Sequence, residues 1–205
     1  MNTVPRMPFL ASMVGLCLVS GCSVIPHEPR STGEMPAWKL PTADGDSLSS
    51  KDLQGRAGIL VWIDPTCAEV QDAASSEGSF RLIESRWMED HRVWIVYVTS
   101  RDAKDRSFLD AAMLKTWLKD QKLRGQVVLD SRGILADHWN LFRVPTASVV
   151  DSSGRIRWSG PAELASDVFA YPDVSQALDS VLQGKPVPPS QGAPSKGCTT
   201  ADWLW

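Results

Sequence analysis

The chain has 205 residues, 43% of them hydrophobic and 22% charged, which fits one folded domain and excludes a fibre or a wholly disordered polymer. Lys and Arg number 21 against 24 for Asp and Glu, a formal charge of −3, so no basic surface is available to neutralise a phosphate backbone and nucleic acid is excluded as a partner. The nine Trp are scattered from Trp38 to Trp205 rather than gathered into a stacking platform, which marks most of them as core.

Residues 1–21 read as a targeting segment. Arg6 precedes an apolar run from Phe9 to Val19 that is too short to span a bilayer comfortably, and Val19-Ser20-Gly21-Cys22 sets small residues before a cysteine. This end resembles a bacterial lipoprotein signal. The resemblance implies that Cys22 is lipidated and becomes the mature N-terminus, with the protein anchored to a membrane in the cell envelope, on its periplasmic or extracytoplasmic face. The alternative is an ordinary cleaved signal with an incidental cysteine. Residues 22–35, rich in Pro, Gly, Ser and charge, read as a flexible tether.

A domain over 36–184 follows. Trp38 and Leu40 predict a short extended segment, and Thr42-Ala43-Asp44-Gly45-Asp46 a turn that closes an edge hairpin. The uninterrupted apolar runs Ile59–Ile63 and Val93–Val98 predict central strands covered on both faces. Phe80, Ile83 and Trp87 recur at helical spacing between them, which makes a βαβ unit. A second helical stripe, Leu109, Ala112, Met113 and Thr116 or Trp117, leads to a strand at Val127–Leu129, ended by the turn residues Asp130 to Gly133. Thr146–Val150, the turn Asp151-Ser152-Ser153-Gly154 and Arg155–Trp158 predict a hairpin. Val174, Ala177, Leu178, Val181 and Leu182 give the clearest amphipathic helix, which stops at Gly184. Residues 185–205, with four prolines before Lys196, read as an extended tail carrying Cys198 and ending in Trp203-Leu204-Trp205.

Chemistry concentrates on two thiols. Cys17 leaves with the signal and Cys22 carries lipid, so Cys67 and Cys198 remain, and an oxidising compartment invites them to pair. Cys67 follows a predicted buried strand and opens a predicted helix, whose free amides and dipole favour a thiolate, whereas the anionic neighbours Asp64 and Glu69 oppose one. A small buried apolar cysteine would suit the same position.

The order of elements, with Leu40-Pro41-Thr42-Ala43-Asp44-Gly45, Ile59 to Cys67, Val128-Leu129-Asp130, Val144-Pro145-Thr146 and Val150 to Ile156, resembles the redoxin branch of the thioredoxin fold, the alkyl hydroperoxide reductase/thiol-specific antioxidant superfamily, from about Met35 to Cys198. The resemblance implies an α/β thioredoxin-like fold with a central mixed β-sheet flanked by helices. It also implies a thiol redox site at Cys67 and its neighbour Thr66, and a cis Pro145 that presents the backbone of Val144 to an incoming substrate. The partners implied are a protein disulfide, a peroxide or a thiol reductant, with no cofactor. Arg143 is a candidate cation near the cysteine or, equally simply, a solvated surface group.

The departures are as informative. Val70 stands where thioredoxins carry the second loop cysteine, and Asp64 and Leu60 stand where typical peroxiredoxins carry Thr or Ser and Pro. The ending Gly184-Lys185-Pro186-Val187-Pro188 and Gly197-Cys198 is similar to that of some extracytoplasmic redoxins. There Cys198 either resolves an oxidised Cys67 or pins the tail in a static disulfide. Cys67, Cys198, His91 and His138 show no recognisable metal-ligand spacing, so no metal is expected. Two function classes remain: a thiol-dependent oxidoreductase, and a degenerate redoxin that uses the same loops to bind an envelope partner.

Overall fold

The computed structural model describes residues 33–101, 109–162, 173–192, 194 and 196–199. The targeting segment, Cys22, most of the tether and the terminal Trp203-Leu204-Trp205 lie outside them. In chain order the first strands are β1 (Gly33–Glu34), β2 (Lys39–Pro41) and β3 (Ser47–Ser49), followed by a 3₁₀ turn at Ser50–Leu53. Next come β4 (Ala57–Trp62), α1 (Ala68–Ala74), α2 (Ser79–Trp87), β5 (Val93–Thr99), α3 (Ala111–Asp120) and β6 (Gln126–Leu129). The chain continues through α4 (Ile134–His138), β7 (Arg143–Val144), β8 (Thr146–Val150), β9 (Arg155–Pro161), α5 (Val174–Leu182) and β10 (Cys198–Thr199).

Six strands form one mixed sheet in the order β1-β9-β8-β4-β5-β6. β5 is parallel to both β4 and β6, while β8 is antiparallel to β4, and β9 and β1 continue antiparallel to the edge. All of β4, β5 and β8 is buried, as their unbroken apolar runs require of strands covered on both faces. Close packing at the centre rests on Gly58, where a Cβ would lie 2.1 Å from the Trp94 ring on the paired strand. Trp62 packs on Trp139 with ring centroids 5.2 Å apart, and Trp38, Trp87, Trp94 and Trp158 are buried too. The buried Glu84 carboxylate on α2 accepts from the Gly125 and Arg124 amides and the Tyr97 hydroxyl, tying that helix to the start of β6. Among the described residues no helix is long and apolar enough to cross a membrane.

Three local expectations change. The crossover between β4 and β5 holds two helices: Cys67 opens α1, and the Phe80, Ile83, Trp87 stripe belongs to α2. They separate at Gly78, where a Cβ would meet the Ala73 carbonyl oxygen at 2.2 Å. On α3 the side turned to the core is Leu114, with Trp117 and Leu118 half-buried, whereas Ala112, Met113 and Thr116 face solvent and Leu109 precedes the helix. A short α4 follows the Asp130 turn. Its first amides donate to the buried Asp130 carboxylate, at 2.8 Å from Ile134, 2.9 Å from Leu135 and 3.1 Å from Ala136, and the Ser100 hydroxyl adds a fourth donor.

Both ends of the described chain are also bound to the domain. Gly33 and Glu34, expected in the tether, pair with Ile156 and Arg155. After α5 the tail runs back across the sheet edge, with the Gln191 amide donating to the Ser159 carbonyl at 2.9 Å and the Ser159 amide to the Ser190 hydroxyl at 3.1 Å. It then joins β7 as β10.

Candidate active site

Asp64-Pro65-Thr66-Cys67 is a tight turn at the end of β4. The Cys67 amide donates to the Asp64 carbonyl at 2.9 Å, and the Gln71 amide donates to the Cys67 carbonyl at 3.0 Å as the first bond of α1. Cys67 is therefore the N-cap residue, in extended backbone, with its side chain 1% exposed. Asp64, buried to 1% exposure of its side chain, holds this turn in shape. One carboxylate oxygen accepts the Thr66 amide at 2.9 Å and hydroxyl at 2.8 Å, and the other pairs with the Arg101 guanidinium. Arg101 also reaches the Thr66 hydroxyl at 3.4 Å.

This alters the electrostatic expectation for Cys67. Of the two anions set against a thiolate, Asp64 is neutralised by Arg101, and Glu69 is the one that faces sulfur. The Glu69 Oε2 atom lies 3.1 Å from the Cys67 Sγ. The Thr66 hydroxyl is committed to Asp64 rather than to the thiol. Arg101 was not among the expected site residues. Its signal was the parallel register of β4 and β5, which sets Trp62 opposite Val98 and so brings the ends of both strands together.

Across the turn lies the segment before β8. Val144–Pro145 is a cis peptide bond. Val144 is fully buried, and the Thr146 hydroxyl donates to the Arg143 carbonyl at 2.6 Å. The Arg143 guanidinium is half-buried, 5.8 Å from the centroid of the Phe142 ring. Against this segment the tail lays β10 antiparallel, with Cys198 opposite Val144 and Thr199 opposite Arg143. Cys67 and Cys198 are joined in a disulfide with Cα atoms 5.9 Å apart and a sequence separation of 131. Cys67, Val144, Pro145 and Cys198, which the sequence spreads over most of the chain, thus meet at one place.

Glu69 Oε2 also lies 3.7 Å from the Cys198 Sγ, so one carboxylate oxygen faces both sulfurs. Cys67, Glu69 and Cys198 are the metal-competent cluster among the described residues, their ligand atoms within 4.8 Å of one another, but in the disulfide both sulfurs are bonded to each other. His138 sits elsewhere, with Nε2 3.3 Å from the Glu34 carbonyl and its ring edge-on to Trp139.

No family model matches the sequence, and no curated protein matches it. Solved structures do match in shape. An uncharacterized conserved protein from Geobacillus kaustophilus is 20% identical, with a TM-score of 0.70 over 86% of this chain and 92% of that one. A hypothetical protein from Sinorhizobium meliloti 1021 is 18% identical, with a TM-score of 0.67 over 86% and 94%. A Chlorobium tepidum chain named "putative Thiol:disulfide interchange protein DsbE" is 17% identical, with a TM-score of 0.51 over 64% and 84%. With the mixed sheet, its flanking helices and the cis Pro145 beside the end of β4, these likenesses give the chain a thioredoxin-like fold.

Proposed function

We propose that this chain is a thiol–disulfide oxidoreductase that works through Cys67 with Cys198 as its resolving thiol, held outside the cytoplasm by a lipid on Cys22. The observation that carries the reading is the Cys67–Cys198 disulfide, formed at the end of β4 beside a carboxylate that faces both sulfurs. In the reduced protein the Cys67 sulfur attacks one sulfur of a substrate disulfide. A Cys67–substrate disulfide forms, the substrate S–S bond breaks, and the other substrate sulfur leaves as thiolate. Cys198 then attacks the Cys67 sulfur, restores the internal disulfide and releases the second substrate thiol. Two electrons have passed to the substrate, and an external thiol reductant returns the protein to its dithiol form. The Glu69 carboxylate, which faces both sulfurs, disfavours the Cys67 thiolate and so sets how fast the first attack proceeds.

Disulfide rather than peroxide is the favoured oxidant. Where a peroxide pocket needs a hydroxyl donor, Asp64 is locked to Arg101 and Thr66. Stopped-flow reaction of the reduced protein with a small aromatic disulfide tests the reading. Wild type should react fast, Cys67→Ser should keep only the slower reaction of the remaining Cys198 thiol, and Cys198→Ser should complete the first step and stop at a mixed disulfide detectable by mass. If wild type and Cys67→Ser are equally inert while the protein retains an envelope partner, the fold serves binding and the enzyme reading falls. Loss of the lipid and of membrane retention in Cys22→Ser, read by mass spectrometry and fractionation, tests the anchor.

A further inference from the structure

The edge of β7 is covered by this chain's own tail, and the way the tail sits describes what else fits there. Cys198 and Thr199 lie as a two-residue strand antiparallel to Arg143–Val144, with Gly197 leading into it, and this pairing delivers the Cys198 sulfur to Cys67. Side chains contribute little to the recognition, since Thr199 is exposed and Lys196 is exposed. The discriminating position is Gly197. Its φ is +128°, and a Cβ there would stand 2.2 Å from the Val144 carbonyl oxygen, a backbone atom that cannot yield. Every residue but glycine before the cysteine is thereby opposed twice, by backbone conformation and by contact.

We infer that the tail is a tethered stand-in for the substrate, and that on the Val144 backbone, which the resemblance already implies as the substrate edge, the reacting cysteine has to be preceded by glycine. This rests on the thiol-exchange reading of Cys67 and names its substrate class. Reduction of Cys67–Cys198 releases the tail's covalent hold, and the partner segment takes its place. In the step itself the Cys67 thiolate attacks the partner's cysteine sulfur, the partner's S–S bond breaks, and its other sulfur departs as thiolate.

The test uses full-length protein carrying Cys198→Ser, so that Cys67 is the free thiol of the site. Two hexapeptides, Ser-Lys-Gly-Cys-Thr-Thr and Ser-Lys-Ala-Cys-Thr-Thr, are each presented as a mixed disulfide with thionitrobenzoate, whose low thiol pKa makes it the leaving group. Release of thionitrobenzoate gives the rate. The glycine peptide should react at least about tenfold faster than the alanine peptide, a ratio that should vanish for the same protein in denaturant. Adding Gly197→Ala to the protein should unseat the tail and speed the glycine peptide further. Equal rates for the two peptides on the folded protein, or no effect of Gly197→Ala, would overturn the inference while leaving Cys67 chemistry intact. A Cys67 that is inert to both peptides and to the small aromatic disulfide, yet alkylated once unfolded, would overturn the oxidoreductase reading instead.

Discussion

Two strands of two residues each join the ends of the described chain to the domain, and different forces hold them. β1 lies on β9 through backbone pairing, extended by the Met35 amide donating to the Gly154 carbonyl at 2.9 Å. The Glu34–Arg155 contact there, at 3.9 Å between largely exposed side chains, adds little. β10 lies on β7 through the same kind of pairing, but a covalent bond between Cys198 and Cys67 fastens it. A pair of two-residue strands is not stable by itself. The first edge therefore depends on the hairpin it leans on, and the second on the oxidation state of one sulfur pair.

The largest effect should come from the floor beneath the second edge. Arg101→Ala leaves the Asp64 carboxylate buried without its cation, and breaking such a pair should cost about 3–5 kcal/mol. Urea unfolding of the oxidised protein measures it. A cost confined to a few tenths would mean that the pair does not shape the Cys67 turn. Reduction comes next. Opening a loop whose ends are separated by 131 positions should remove about 2–4 kcal/mol, less than the full loop entropy where the reduced tail keeps some contact. Amide exchange separates the edges: Cys198 and Thr199 should lose protection on reduction while Gly33 to Met35 keep theirs. Equal loss at both would erase the distinction between them.

The same contrast explains what could be read from the sequence. β4 and β5 were legible because buried parallel strands leave unbroken apolar runs, and the cis Pro145 and the pairing of Cys67 with Cys198 because the order of elements resembles the redoxins and the two thiols are left to pair. β1, β7 and β10 left no periodic trace, since two residues carry no period and strand pairing is written in backbone bonds. Arg101 was hidden because its partner Asp64 is 37 residues away and meets it through strand register. On α3 the stripe Leu109, Ala112, Met113 and Thr116 or Trp117 met the core only at Leu109 and Trp117, and it missed Leu114 and Leu118. Tertiary packing made the choice, and it buried Leu114.

Glu69 permits a smaller and more chemical test of the second edge. With Asp64 neutralised by Arg101, the Glu69 carboxylate is the negative charge beside the Cys67 sulfur, and a neighbouring anion disfavours the thiolate. In the reduced protein Glu69→Gln should raise the rate of Cys67 alkylation near neutral pH by up to roughly tenfold and move its pH profile to lower pH. Unfolded protein should show no difference between the two. An unchanged profile in the folded protein would show that the Glu69 charge does not act on the Cys67 sulfur.

The first edge has a weaker switch of its own, in the hairpin turn it leans on. Burial raises the Asp151 carboxyl, but hydrogen bonds from the Ser153 hydroxyl, the Arg155 amide, the Arg157 guanidinium and the Ser153 amide outweigh it and hold the group below its ordinary value of 3.8. A carboxyl depressed in the folded state contributes stability above the unfolded value, and that contribution is lost as pH falls through the folded one. Acid below about pH 4 should therefore loosen the Asp151–Gly154 turn, and with it the Gly154 carbonyl that receives the Met35 amide. The loss should be under about 1 kcal/mol, because the Arg157 partner is half in solvent. Oxidised protein followed by amide exchange from neutral to acid pH should show Gly33 to Met35 opening before Cys198 and Thr199. Asp151→Asn should give that early opening at every pH. If acid opens the disulfide-held edge first, the hairpin does not govern β1.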